Sequence, residues 1–380
     1  MKRTVVLAGI LLFAACGPSS ALGPAASPSA SAPPTSPTTP TARPSPQRWA
    51  MLYADHRNTY ELALVSATGS IVARVKPTQQ WQPSPQLAAG DKIPTFLIPY
   101  SSSGSRLYYL DGNILRFVTP GGVGGVIRML EGGNREYALA VTPDDRRIAV
   151  AEFDYSMSPP TFHMWVEDLA GGNRVDLKPK NISYGWPFGW LDGKLIVVEA
   201  EPYDTVSVAG LWRWLRFPRR AHLIDPYSGA EIATLCSWPV ASHALCPDAG
   251  HNLYINSWDG SRVPQPQVGR GDCLPTGALS PDGFSIAGWD FIPGSQNCES
   301  TGSILITDTN GRRQKISASQ ANPAFPEAYL DATHLIYTTP TGQFEEYDMN
   351  IVDLSSGRAQ LIDFGGVGIH AFGQLPPLES

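Results

Sequence analysis

The stretch from Glu199 to Arg220 carries the densest set of binding side chains in this sequence. Its second half reads Leu211-Trp-Arg-Trp-Leu-Arg-Phe-Pro-Arg-Arg220, with four Arg and three aromatic residues in close succession. Trp and Arg are enriched at the energetic centres of protein interfaces, and the Arg fork suits carboxylates and phosphates. The sequence therefore predicts a binding loop made of Trp212, Arg213, Trp214, Arg216, Arg219 and Arg220.

The same composition fits two other roles, and both stay open at this point. Trp and Arg are also favoured at the surface of a lipid bilayer, so the loop could contact a membrane. Alternatively, the Trp rings could pack on the domain that carries them while the Arg side chains stay in water. Sequence composition does not separate these three roles.

A second group of side chains could perform catalysis, provided that the fold brings them together. Paired carboxyl groups are what glycoside cleavage needs, which supports an alternative hypothesis: a hydrolase or lyase acting on glycans or small molecules. A polar opening in a fold also collects charged residues without any catalysis, and we favour a protein with no catalytic residues. The carboxyl groups in question belong to Glu152, Asp154, Glu199, Glu201 and Asp290.

The sequence has no motif for metal or cofactor chemistry. It contains neither a Gly-x-Ser-x-Gly nucleophile elbow nor a His-Glu-x-x-His zinc motif. Its seven His residues are scattered, without the close spacing of a local metal site. Gly366–Ala371 matches a dinucleotide fingerprint by letters, but the Pro-rich segment after it cannot supply the helix that holds a phosphate. We expect neither a metal nor a cofactor.

The N-terminus has the pattern of an export signal. Lys2 and Arg3 precede an apolar run from Val5 to Phe13, which is too short to span a bilayer as a permanent helix. The segment Leu12-Phe-Ala-Ala-Cys16 resembles a bacterial lipobox, in which cleavage before the Cys is coupled to its lipidation. The resemblance implies a signal peptide at residues 1–15 and lipidation of Cys16; cleavage as an ordinary secretory peptide is the alternative.

Residues 16–47 are almost entirely Pro, Ser, Ala and Thr, which predicts a disordered tether. With the lipid on Cys16, this tether would hold a globular domain on the extracytoplasmic side of a bacterial membrane. The net charge of −6 argues against nucleic acid as a partner. We therefore expect a monomer whose partner is a cell-envelope or extracellular protein, with the membrane reached through Cys16.

The elements that must position these side chains are short strands joined by turns. The 36 Gly and 35 Pro residues favour a turn-rich, all-β chain, and Ser280-Pro-Asp-Gly283 and Asn310-Gly311 are two such turns. Strand–turn–strand segments recur along the chain at Phe96–Leu110, Leu139–Ala151, Gly189–Val198, Leu245–Ile255, Leu279–Ala287 and Tyr329–Tyr337. Partner hairpins recur at Leu62–Val75, Ile114–Leu130, Met164–Leu177, Leu223–Leu235, Ile304–Ile316 and Ile351–Ile362.

Each pair of these segments has the length of one blade of a β-propeller. The spacing favours seven blades in a domain at residues 48–375, with residues 376–380 as a tail. Six blades is the alternative, because the copy at His243–Gln267 is short. Residues 48–76 lack an innermost strand, and Gly368–Gln374 is a spare strand that would complete the first blade and close the ring.

Two turns carry a family resemblance. Ser280-Pro-Asp-Gly283 with Ile286-Ala287, and Thr142-Pro-Asp-Asp145 with Ile148-Ala-Val150, resemble the repeats of TolB-like β-propellers. The resemblance covers most of residues 48–374. It implies a protein-binding platform, or a non-catalytic gating domain of the kind that precedes a serine peptidase.

Four Cys residues remain after Cys16, which in an exported domain points to two disulfides with three possible pairings. In the predicted propeller, Cys273 and Cys298 fall in connections on the same face, so we expect a Cys273–Cys298 bond. Cys236–Cys246 then follows by elimination.

Overall fold

A computed structural model describes most of the globular part of the chain. Everything described lies in the compact unit Pro46–Ser380. The described residues are 49–55, 60–78, 92–94, 100–157, 160–178, 182, 185–199, 202–204, 220–236, 239–240, 242–247, 253–264, 277–292, 299–342 and 346–375.

The described residues form strands and turns, with no helix long and apolar enough to cross a membrane. In chain order the strands are β1 (Trp49–Asp55), β2 (Tyr60–Ser66), β3 (Ile71–Val75), β4 (Lys92–Pro94), β5 (Tyr100–Ser102), β6 (Leu107–Asp111), β7 (Ile114–Val118), β8 (Gly124–Met129), β9 (Arg135–Val141), β10 (Arg147–Asp154), β11 (Thr161–Asp168), β12 (Val175–Leu177), β13 (Gly185–Leu191), β14 (Lys194–Glu199), β15 (Pro202–Asp204), β16 (Ala221–Ile224), β17 (Glu231–Leu235), β18 (Pro239–Val240), β19 (His243–Pro247), β20 (Leu253–Ser257), β21 (Arg262–Pro264), β22 (Ala278–Leu279), β23 (Ser285–Phe291), β24 (Ser300–Asp308), β25 (Arg313–Ile316), β26 (Phe325–Tyr329), β27 (His334–Pro340), β28 (Glu346–Asp353) and β29 (Arg358–Leu375).

These strands make a seven-bladed β-propeller, as the repeat pattern predicts. Blades two to six are the antiparallel four-stranded sheets β5–β8, β9–β12, β13-β14-β16-β17, β18–β21 and β22–β25. Their first strands lie closest to the axis, because β5 contacts β9 and β9 contacts β13, and β22 contacts β26. Blade five, β18–β21, is the short copy; it is a complete four-stranded sheet, so the six-blade alternative is wrong.

Blades one and seven share one strand, which closes the ring. β29 pairs with β28 through residues 358–367 and with β1 from Val367 to Leu375. The first part of β29 is therefore the outermost strand of blade seven, and its last part is the innermost strand of blade one. The predicted closure by the C-terminal segment is confirmed, and it removes the sheet edge that β1 would otherwise expose.

The core lies between the blades, because each blade is apolar on both of its faces. In β10, for example, Ile148 and Val150 pack on the blade-two side, while Ala149 and Ala151 belong to the core that reaches blade four. A continuous apolar run is what a strand buried on both faces requires. Phe153 and Tyr108 are among the largest fully buried side chains.

The two repeat turns that resemble each other in sequence have the same geometry. In Ser280-Pro-Asp-Gly283, the Gly283 N–H donates to the Ser280 carbonyl at 2.9 Å and Gly283 has a φ of 72°. Asp145 takes the place of that glycine with a φ of 60°, which is uncommon for a residue with a side chain. Its carboxylate accepts hydrogen bonds from Ser105 and from Tyr108 (2.7 Å), so this turn ties blade three to blade two.

The Asp residues ahead of the hairpin turns act as turn caps, which is the role predicted from the sequence. The Asp225 carboxylate accepts from the Tyr227 and Ser228 backbone N–H groups, each at 3.0 Å. Asp308 accepts from the backbone of Asn310 at 2.9 Å and of Arg312 at 2.8 Å. Such side-chain caps satisfy backbone donors that a tight turn leaves unpaired.

The closure depends on a close approach at Gly373. A Cβ atom placed there would collide with the Tyr329 backbone oxygen, where blade one passes blade seven. Gly357 also has a positive φ, 70° compared with 55° at Gly373, but a Cβ atom at Gly357 would meet open space. We predict that Gly357→Ala costs ~1 kcal/mol in the free energy of unfolding, for its backbone conformation alone. Gly373→Ala should cost ~1–3 kcal/mol more, because the strand must shift.

Urea denaturation of both full-length variants measures the difference. Equal losses of stability for the two variants would contradict a tight closure at Gly373.

Candidate functional site

The two ends of the propeller differ in how the chain turns. At one end, short turns join the first strand of a blade to the second and the third to the fourth; we call this end the turn face. At the other end, the second strand joins the third and each blade joins the next; we call this end the loop face. The longest connections, residues 76–99, 200–220 and 265–277, all join strand ends at the loop face.

Two of these long connections meet. Strand β4, between blades one and two, pairs antiparallel with β15, which lies inside blade four. The register joins Pro202 to Pro94 and Asp204 to Lys92. The stretch from Glu199 to Arg220 thus contains a short strand that the sequence analysis did not predict, and this strand pairs with the connection between blades one and two.

An ionic cluster occupies the loop-face end of blade three; we call Glu131, Arg135, Tyr137, Glu152 and Asp154 the blade-three cluster. The Arg135 guanidinium pairs with the Glu131 carboxylate, and its Nε lies 3.2 Å from Asp154 Oδ2 and 3.9 Å from Glu152 Oε1. The Tyr137 hydroxyl lies 3.0 Å from Glu152 Oε2 and 2.8 Å from the Glu131 carbonyl oxygen. One arginine side chain therefore forms ion pairs with three carboxylates.

The electrostatics of this cluster favour an ionised Asp154. Hydrogen bonds from Ser156, and then from Arg135, hold the pKa of Asp154 below its ordinary value. Burial, followed by the charge of Glu152, raises the pKa of the Tyr137 hydroxyl, so this group stays protonated and donates. The cluster is therefore internally paired, with Arg135 on the carboxylates and the Tyr137 hydroxyl on Glu152.

Glu136 lies next to the cluster in sequence but on the other face of the sheet. Arg135 and Tyr137 pair with Asp154 and Glu152, whereas Glu136 pairs with Phe153. Because side chains alternate along a strand, Glu136 points to the side of blade three that faces blade four. There its Oε2 accepts a hydrogen bond from the Tyr155 hydroxyl at 2.9 Å.

The environment of Glu136 keeps its carboxyl group protonated near neutral pH. Burial raises the pKa of Glu136 to about 8, although the hydrogen bond from Tyr155 acts in the opposite direction. A carboxyl group with this pKa can donate a hydrogen bond or a proton at neutral pH. A carboxyl perturbed by burial beside a charged network is also a recognised mark of a functional site.

The carboxylates expected to converge do so only in part. Glu152 and Asp154 share Arg135, as described. Asp290 lies in blade six, where its carboxylate accepts from Lys315 Nζ at 2.7 Å and from the Thr301 hydroxyl at 3.0 Å. The Glu199 backbone N–H donates to the Arg220 carbonyl oxygen at 2.9 Å. Glu201 lies outside the described residues.

Most of the predicted binding loop also falls outside the described residues: Trp212, Arg213, Trp214, Arg216 and Arg219. Arg220 is exposed at the start of the third strand of blade four. The described part of the chain has no group of three or more His, Cys, Asp or Glu side chains placed to hold a metal.

Among the cysteines, Cys236 and Cys246 form a disulfide with a Cα–Cα distance of 5.7 Å, which joins the end of blade four to blade five. Cys16, Cys273 and Cys298 lie outside the described residues.

Sequence reasoning missed Arg135, Glu136 and their separation onto two faces. A signal was present: Arg135-Glu136-Tyr137 opens an innermost strand whose remaining residues, Ala138 to Val141, are all apolar. Charged residues at the start of a buried strand indicate a polar site at that end, and strand alternation would have assigned them to opposite faces.

No protein-family model matches the chain, and no curated protein matches it. Solved structures with a similar fold include an oligogalacturonate lyase from Vibrio parahaemolyticus (11% identity, TM-score 0.45, covering 81% of this chain and 92% of that one). The β-propeller domain of the Trilobed protease from Pyrococcus furiosus is another (14% identity, TM-score 0.41, 71% and 85%). A third is the dihydro-heme d1 dehydrogenase NirN (12% identity, TM-score 0.42, 90% and 77%).

The similarity ends at the fold. At these identities the activities of those proteins do not transfer to this chain, and the propeller assignment rests on the chain's own seven blades.

Glu136 gives a pH-dependent prediction. The folded protein keeps the Glu136 proton up to a pKa of about 8, whereas the unfolded chain releases it near the ordinary value of 4.5. Wild-type stability should therefore fall as the pH rises between these values. Gln cannot ionise, so the stability of Glu136→Gln relative to wild type should rise over the same interval.

The measurement is urea denaturation of both proteins at a series of pH values. Glu131→Gln is the matched control, because the Glu131 side chain is 75% exposed, and it should show no such trend. A difference between Glu136→Gln and wild type that is independent of pH would contradict a protonated, half-buried Glu136.

Proposed function

We propose that this protein is a lipid-anchored extracytoplasmic β-propeller, similar to TolB-like propellers. Its loop face binds a protein or another ligand and does not catalyse a reaction. The observation that carries the proposal is the difference between the two faces. Short capped turns at the turn face fix the scaffold, while the long connections, the β4–β15 pairing and the blade-three cluster are all at the loop face. Binding residues belong on loops held by a rigid scaffold.

The anchor follows from the N-terminal sequence. A lipobox-like segment ending at Cys16 and a Pro-rich tether to residue 47 would hold the domain at a distance from the membrane. In that arrangement the partner is another protein or ligand of the cell envelope or the extracellular space. The residues Trp212 to Arg220 are its first candidate contacts.

A propeller hydrolase or lyase is the second candidate, and one observation favours it. Glu136 is protonated near neutral pH, while Glu152 and Asp154, at the same end of blade three, are paired with Arg135. Glycoside cleavage uses an acid together with a second carboxyl group, and groups of both kinds lie at this end of blade three. Against it, the sheet separates Glu136 from Glu152 and Asp154, and Arg135 already pairs with both of them, so neither is free to act as a nucleophile or base. Binding therefore remains the better-supported function.

Lipidation can be tested directly at Cys16. Cells expressing the full-length protein and fed an alkyne fatty acid should label the wild type and leave Cys16→Ser unlabelled. The label should also appear on the N-terminal peptide after proteolysis. An exported but unlabelled wild-type protein would show that the signal is an ordinary secretory one.

The binding face can be tested with two variants of blade four. Replacing Trp212, Arg213 and Trp214 by Ala should remove the partners that the wild-type propeller captures from the envelope fraction, because interface hot spots are built from these residue types. Tyr227→Ala is the control, since Tyr227 is a 68% exposed aromatic residue on the turn face of the same blade.

Equal melting temperatures would establish that both variants fold. Retention of every partner by the triple variant, or their loss in Tyr227→Ala, would contradict binding through the loop.

A further inference from the structure

The hairpin turn between β24 and β25 contains Asn310-Gly311, and Asn310 is the one Asn of this sequence that a Gly follows. The turn joins the third strand of blade six to the fourth, so it lies on the turn face. Both residues are exposed to solvent. A reaction at this turn is therefore independent of the binding function that we propose for the loop face.

The conformation of the turn requires the glycine. Gly311 has a φ of 78°, in the left-handed region where a side chain is strained, and Asn-Gly pairs are common in hairpin turns for this reason. The same pair is chemically reactive, because glycine has no Cβ atom to keep its backbone nitrogen away from the preceding side chain. Every other Asn in the sequence is followed by a residue with a Cβ atom, which hinders that approach.

The side-chain amide of Asn310 is available for this reaction. It makes no hydrogen bond to another described residue. Other Asn side chains at turns of this propeller are held in place. The Asn113 amide donates to the Leu130 carbonyl oxygen at 2.8 Å, and the Asn134 amide donates to the Tyr155 carbonyl oxygen at 3.0 Å. Asn310 therefore combines an exposed, unrestrained side chain with the least hindered backbone neighbour.

Asp308 holds the backbone of the same turn. Its Oδ1 atom accepts from the Asn310 N–H at 2.9 Å and from the Arg312 N–H at 2.8 Å. Its carbonyl oxygen accepts from the Gly311 N–H at 2.9 Å. The Gly311 nitrogen must lose its proton to attack the Asn310 side chain, so it must first give up the hydrogen bond to Asp308. The cap therefore opposes the reaction that the Asn-Gly pair makes possible.

We propose that Asn310 is the main site of spontaneous deamidation in this protein and that the Asp308 cap sets the rate. In this reaction the Gly311 nitrogen loses its proton and bonds to the side-chain carbonyl carbon of Asn310. The bond from that carbon to Nδ2 breaks, and Nδ2 leaves as ammonia with the proton from Gly311. Water then opens the cyclic imide to aspartate or isoaspartate, which restores the N–H of Gly311.

Either product weakens the turn. Aspartate places a second carboxylate beside that of Asp308, and like charges repel. Isoaspartate lengthens the backbone by one atom, so the N–H groups of residues 310 and 312 no longer both fit Asp308 Oδ1. In both cases the protein gains a negative charge at the end of the propeller opposite the loop face. The modification therefore changes the scaffold of blade six and leaves the loop-face connections as they are.

The test is incubation of the full-length wild type and Asp308→Ala in slightly alkaline buffer, which favours loss of the Gly311 proton. Peptide mapping by mass spectrometry, with an unincubated sample as the zero point, then follows conversion of each Asn. In the wild type, Asn310 should convert faster than any other Asn. Its conversion should be about tenfold faster in Asp308→Ala, because two backbone hydrogen bonds to a charged acceptor no longer hold the turn closed.

Asp353→Ala is the matched control, because Asp353 caps the corresponding turn of blade seven, where its carboxylate accepts from the Ser355 N–H at 2.8 Å. This variant loses a similar cap, but Asn310 should convert in it at the wild-type rate. Faster conversion of any other Asn in the wild type would overturn the assignment of the site. Equal rates in wild type and Asp308→Ala, or the same increase in Asp353→Ala, would overturn control by the Asp308 cap.

Discussion

The pairing of β29 with both β28 and β1 is the interaction on which the structure depends. A single strand ends blade seven and begins blade one, so the ring cannot open without breaking the pairing of β29 with one of the two strands. The cores on both sides of that junction are shared, since Leu52 of blade one and Ile336 of blade seven belong to the same buried cluster. Closure fixes where each loop-face connection begins and ends, because every blade is held by two neighbours.

Closure also explains why the two faces can differ so much. At the turn face, Asp225 and Asp308 satisfy backbone donors within their own turns, and Asp145 accepts from the Tyr108 hydroxyl of the neighbouring blade two. Those interactions need few residues, and they keep the turns short. The connections at the loop face do not depend on such capped turns, so long connections can be inserted there without disturbing the sheets.

The features that the sequence could predict, and those that it could not, divide in the same way between the turn face and the loop face. The blades, their number and the capping Asp residues were predictable because each depends on residues close together in the chain. The pairing of β4 with β15 was not, because Lys92-Ile-Pro94 and Pro202-Tyr-Asp204 show no alternation and both contain Pro, a poor strand former. The state of Glu136 was not predictable either, since its burial and its contact with Tyr155 require the packed fold. The ring contact between Trp289 of blade six and Phe325 of blade seven was not predictable, because nothing local marks these two residues as neighbours.

Two energetic costs in this fold lie at the loop face. Glu136 gives up ionisation at the loop-face start of blade three, and at the start of blade two the Tyr100 hydroxyl is buried without a hydrogen bond to any described residue. A buried polar group without a partner costs ~1–3 kcal/mol. A fold with continuous apolar interfaces between all its blades can tolerate such losses, and proteins retain them where function requires them. Costs of this kind also occur at the turn face, where Tyr329 has a buried hydroxyl without a hydrogen bond to any described residue, so the assignment of binding to the loop face rests on its long connections.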